Sequence, residues 1–165
     1  MRVGRALLFG VVGAIGISIV SALLRTIGLN IDFELILGTL TGIPPGPEAF
    51  AAGLGIHLVL GCAFGVLYGW LFERVWDHGG AATGVILGMV HAAFLGMFFG
   101  LTPQFHPYVA AHLVPDPGPY FVHAGGAAGI GVVAWFSLHI VFGAIVGAGY
   151  GHVAAEREWA PAGRL

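Results

Sequence analysis

Four stretches of this chain, at about 6–24, 49–72, 81–101 and 128–151, are strongly apolar and hold no Asp, Glu, Lys or Arg. A bilayer core of about 30 Å takes about 20 such residues as a helix. Water would have to cover all four if the chain were soluble. Only 8% of the residues are charged and 58% are hydrophobic, against about 25% charged in a soluble domain. A closed barrel would alternate polar and apolar residues in short strands, and no such alternation is present. The expected fold is therefore an all-α membrane protein, a single domain over 1–165 with four transmembrane helices. Outer loops are expected at about 25–48 and 102–127.

Charge sets the direction. Arg2, Arg5, Arg74, Arg157 and Arg164 fall on one side of the four spans and Arg25 on the other. The positive-inside rule then puts both termini in the cytoplasm, in a bacterial inner membrane. The first span has the outline of a signal peptide, but its apolar run exceeds the usual 7–15 residues, so it reads as a retained helix. Asp77 is placed to cap the third span. In the first outer loop, Ile31 to Leu40 is apolar and too short to cross, which suggests an interfacial helix along the headgroups. With one cysteine, Cys62, no internal disulfide forms. No basic cluster invites nucleic acid.

One phrase occurs twice. His57, Gly61, Gly65, Tyr68 and Gly69 repeat as His139, Gly143, Gly147, Tyr150 and Gly151, at the same spacing. The offset is 82 (57 to 139). Spans one and three align more weakly at 72 (16 to 88, 28 to 100). The reading is two parallel-repeated helical hairpins about a pseudo-twofold axis along the membrane normal. Small residues at every fourth position in all four spans allow close backbone approach, the main route to helix association in lipid.

Ionisable residues at membrane depth mark functional sites by default. His57 and His139 replace small residues in these stripes, so both face protein. By helical rise His57 lies about 12 Å inside its span, and His139 and His91 fall at a similar level. Two facing imidazoles suit a b-type haem. A transition-metal ion held by His57, His91 and His139 is the alternative cofactor. Register-fixing hydrogen bonds with no cofactor at all form the third reading. His106, His112 and His123 are expected to face outer water, with a weaker reading as feeders or additional metal ligands. His78 and His152 are expected at the cytoplasmic interface. Tyr68 and Tyr150 are expected as interfacial anchors.

The order of a two-arginine N-terminus, Ile31-Asp-Phe, Leu37-Gly-Thr-Leu, and the His-x3-Gly-x3-Gly-x2-Tyr phrase on either side of a long outer loop resembles a group of small bacterial four-helix membrane proteins. Some of these carry a sodium:proline symporter label. The resemblance implies a bundle with histidines in its second and fourth spans, and no catalytic residue. All eight acidic residues, Glu34 among them, are expected outside the spans, whereas coupled transporters commonly use intramembrane carboxylates. A haem or metal site for electron transfer or ligand binding therefore ranks first. A non-catalytic accessory or scaffold subunit follows, then a small pore or carrier. No hydrolytic or group-transfer arrangement occurs. The expected partners are the lipid bilayer and either a second copy or a larger membrane complex.

Overall fold

The structure, a computed structural model, describes residues 1–125 and 129–151. Seven α-helices appear among them: α1 (Val3–Thr26), α2 (Phe33–Leu40), α3 (Pro47–Arg74), α4 (Ala81–Phe99), α5 (Thr102–Phe105), α6 (Pro107–Ala110) and α7 (Ile130–Tyr150). No strand occurs among the described residues. Helices α1, α3, α4 and α7 are long and apolar enough to cross a membrane, as the four uncharged stretches predict. Their outward faces carry large apolar side chains such as Leu23, Val59, Phe94 and Val133, which suits lipid and not water. The chain is an integral membrane protein. His152, Arg157 and Arg164 lie outside the described residues.

The bundle is built from two antiparallel pairs. In the first, Gly61 and Gly65 of α3 meet the backbone of Gly10 and Ala6 in α1. In the second, Gly143 and Gly147 of α7 meet the backbone of Gly84 and Gly80 at α4. These glycines let backbone touch backbone, the contact that dispersion needs where lipid supplies no hydrophobic drive. Phe142 of α7 then packs on Gly13 of α1 and joins the pairs. The opposite seam, between α3 and α4, is filled by side chains. It leaves a groove lined by Phe64, Leu67, Leu71, Leu87, Val90 and Phe94.

Helix α2 departs from the interfacial placement expected of it. It packs antiparallel on the N-terminal part of α3. Gly53 sits on the backbone of Glu34 and Gly38, and Gly38 sits on Ala49. Any side chain at Gly38 or Gly53 would meet backbone, so the two glycines interlock the helices. The Asp32 side chain caps α2 by accepting from Leu35 N–H at 3.2 Å. The carboxyl of Glu34 is thereby carried to the level of His57, so one acidic side chain does reach the histidines, contrary to expectation.

The long connections after α1 and after α4 form one packed cap. Asn30 N–H donates to Ala124 O at 2.5 Å, and Tyr108 O–H donates to Gly42 O at 3.0 Å. Helix α4 starts from Gly80, which has no side chain to cap with. At the opposite end, the Met1 amine lies 2.9 Å from Glu73 Oε2. Arg2 N–H donates to Tyr150 O–H at 3.0 Å, and Tyr150 O–H donates to Glu73. The chain's start and the ends of α3 and α7 thus share one face of the bundle.

A candidate histidine site under helix α2

His57 on α3, His91 on α4 and His139 on α7 border one cavity of about 40 Å³, closed by Ile17, Phe33, Leu60, Phe64, Leu95 and Phe142. The His91 and His139 rings lie 4.8 Å apart, edge to face. All three sequence-predicted intramembrane histidines therefore converge. Phe33, at the start of α2, covers them from outside. Its ring meets His57 at 4.9 Å and Trp135 at 6.5 Å. Phe64 stacks on His91 at 3.9 Å.

Each imidazole is held by Nδ1. In His139, Nδ1 lies 2.9 Å from Trp135 O. A carbonyl only accepts, so Nδ1 carries the proton and Nε2 keeps its lone pair. His57 Nδ1 is 3.0 Å from Ser18 Oγ and 3.6 Å from Glu34 Oε1. His91 Nδ1 is 3.1 Å from Tyr68 Oη, and its Nε2 is buried without a hydrogen-bond partner. Trp135 closes the outer side, with Nε1–H donating to Ala92 O at 2.9 Å and its ring stacked on Phe121.

Sequence reasoning missed Glu34 and Arg25. The Glu34 side chain is fully buried. Its Oε2 lies 3.4 Å from Arg25 Nη1, while Arg25 also donates to Ile31 O at 3.0 Å and approaches Asp32 at 3.4 Å. Burial pushes the Asp32 carboxyl up, against the pull of Arg25. Burial pushes on Glu34 in the same direction, but His57 and Ser18 beside it outweigh that and leave its carboxyl below the usual value. The available signal was an Asp-Phe-Glu sequence in an otherwise apolar segment, with Arg25 a few residues before it.

The loop histidines separate. His106 does not face water. It is buried, with Nε2 3.0 Å from Ile36 O and 3.1 Å from Thr39 Oγ1, and its Nδ1 accepts from Val109 N–H. It staples the second outer loop to α2. His112 is exposed, and exposed His123 pairs with Asp116 at 3.5 Å; neither joins the cavity. His78 is exposed. Tyr68 and Tyr150 are buried and hydrogen-bonded within the bundle and are not headgroup anchors.

The space bordered by the three rings is about 40 Å³, against about 300–1,000 Å³ for pockets that take drug-sized ligands. It has room for water or a single ion. As the rings stand, no three His, Cys, Asp or Glu side chains among the described residues are drawn together as a group that could hold a metal ion. Comparisons with models of known families, with curated proteins and with solved structures return no match to this chain.

Proposed function

We propose that this protein binds one first-row transition-metal ion within the outer half of a membrane bundle, by closing His57, His91 and His139 around their shared cavity. The observation that carries this reading is the common use of Nδ1. A metal-ligating histidine typically donates its other ring N–H to a carbonyl or carboxylate, which fixes the tautomer and orients the lone pair. Trp135 O, the Ser18–Glu34 pair and Tyr68 stand in that position beside the three rings. Three neutral nitrogens and a water make a four-coordinate site of the kind zinc uses, and imidazole also suits copper, iron and nickel. Tyr68 and Phe142 pack below the rings, which favours a binding site over a pore.

The matched glycine contacts support an internal duplication. They favour an offset of 74 for α1 and α4 (6 to 80, 10 to 84) over the weaker alignment at 72, beside 82 for α3 and α7. The site then lies on the pseudo-twofold axis. The arginine bias assigns the shared end of Met1, Arg2 and Arg74 to the cytoplasm of a bacterial inner membrane.

The test is metal content after loading purified protein with Zn²⁺ or Co²⁺ in detergent and removing excess. One ion per chain is expected in wild type, with affinity sharply lowered but measurable by titration in His57→Ala, His91→Ala and His139→Ala. Wild-type protein that retains no metal overturns the proposal, as does a Soret band that disappears in His57→Ala. A second reading, an accessory subunit, is favoured by the apolar groove of about 210 Å³ between α3 and α4, which a partner helix would fill. Stable co-purification of another subunit that survives His57→Leu would support it.

A further inference from the structure

We propose that Glu34 is the positioning residue of this site: its carboxylate orients His57 and strengthens it as a ligand, with Arg25 holding the carboxylate in place. The inference rests on the metal-binding reading above and adds a residue outside the three imidazoles.

A carboxylate this deeply buried is retained only when it is paired. Arg25 satisfies one oxygen, Oε2, at 3.4 Å. Oε1 has no hydrogen-bond partner, and its near neighbour is His57 Nδ1 at 3.6 Å. Ser18 Oγ, on the adjoining helix, is 3.0 Å from the same nitrogen. An Nδ1–H directed between these two oxygens leaves the Nε2 lone pair of His57 available. A small shift of the ring brings Oε1 into hydrogen-bonding range and relieves the orphaned charge. The resulting carboxylate–histidine–metal relay raises ligand basicity. The other rings are served differently, His139 by a backbone carbonyl and His91 by a phenol, so the carboxylate belongs to one ligand of the three. Arg25 is anchored to the loop ahead of α2 through Ile31 O, so it fixes Glu34 from the outer side.

The test is a double-mutant cycle on Co²⁺ affinity, using wild type, Glu34→Gln, His57→Ala and the double variant, with the thermal midpoint of each metal-free protein as control. Glu34→Gln keeps the side-chain volume and removes the charge. It is expected to weaken Co²⁺ binding roughly 10–100-fold in the wild-type background and to have little effect once His57 is gone. Glu34→Asp keeps the charge beside Arg25 but draws it away from His57, and is expected to fall between. Equal affinity in wild type and Glu34→Gln overturns the inference and leaves the metal site standing. The same loss with and without His57 also overturns it, since that marks a purely structural role. Wild type that binds no Co²⁺ overturns the underlying reading itself.

Discussion

His57 and His139 head the same phrase, yet their surroundings share little. His57 faces Ser18 and a buried carboxylate tied to an arginine. His139 faces its own helix's Trp135 carbonyl and ring, with the backbone of α4 at Gly88 behind it. One residue accounts for most of the difference. Four positions before His57 stands Gly53, and four before His139 stands Trp135. Gly53 leaves room for α2 to lie on α3 and deliver Glu34. Trp135 fills the corresponding space with its own indole and bonds to Ala92 O. The glycine contacts of the two pairs match while the polar partners of the two histidines do not. The shared phrase therefore corresponds to matching backbone contacts but not to matching polar partners.

The strongest challenge to this contrast is Gly53→Val. Its side chain would meet the backbone of Glu34 and Gly38. The expected cost is about 3 kcal/mol or more, from overpacking against atoms that cannot turn aside, with release of α2. Crosslinking between cysteines placed on α2 and α3 would report the release. Persistence of that crosslink would show that α2 is held by something other than the glycine interlock.

Matched substitutions at Gly61→Ile and Gly143→Ile come next. A Cβ at Gly61 falls 2.6 Å from Ala14 Cβ and 2.7 Å from Gly10 O, and one at Gly143 falls on Gly84 backbone. Both are expected to lose about 1–3 kcal/mol in a reversible unfolding assay. A loss in one pair alone would break the equivalence of the pairs.

The histidines sharpen the comparison further. His57→Ala removes the partner of Ser18 Oγ and the nearest polar neighbour of Glu34 Oε1, whereas His139→Ala strands a carbonyl already serving its helix. Metal-free His57→Ala is expected to be the less stable of the two by about 1–3 kcal/mol, the cost of an unsatisfied buried group. Equal midpoints would mean that Glu34 does not depend on His57.

Trp135→Phe removes the indole bond to Ala92 O at 2.9 Å, worth about 0.6–1.7 kcal/mol between membrane helices. Tyr68→Phe loses the bond to His91 and is expected to cost about 0.5–1.5 kcal/mol, alongside a change in metal affinity that Tyr150→Phe does not share.

Much of the fold was legible because spanning helices are local objects. An uncharged apolar run has few other destinations, and the four helices end within a few residues of the expected limits. The histidines were legible for the same reason: on a regular helix, residue number converts to depth and direction. The cap was less so. His106 lies on a proline-interrupted loop, where no period reports which way a side chain points, and its partners Ile36 and Thr39 are remote in sequence. Tyr68 and Tyr150 carry the composition of a headgroup belt, but their hydroxyls find partners on other helices or at the chain's start.

The sequence by itself determined that the chain is suited to a membrane, that four of its segments are long and apolar enough to cross it, and that three imidazoles sit near one depth. Those properties follow from hydropathy and helical rise, which each segment carries alone. Tertiary structure alone decided that α2 folds onto α3, that Glu34 reaches His57, and that the three rings border one small cavity. Each depends on how closely two backbones approach, and that distance is set jointly by residues far apart in the chain, Gly38 with Gly53 and Gly84 with Gly143.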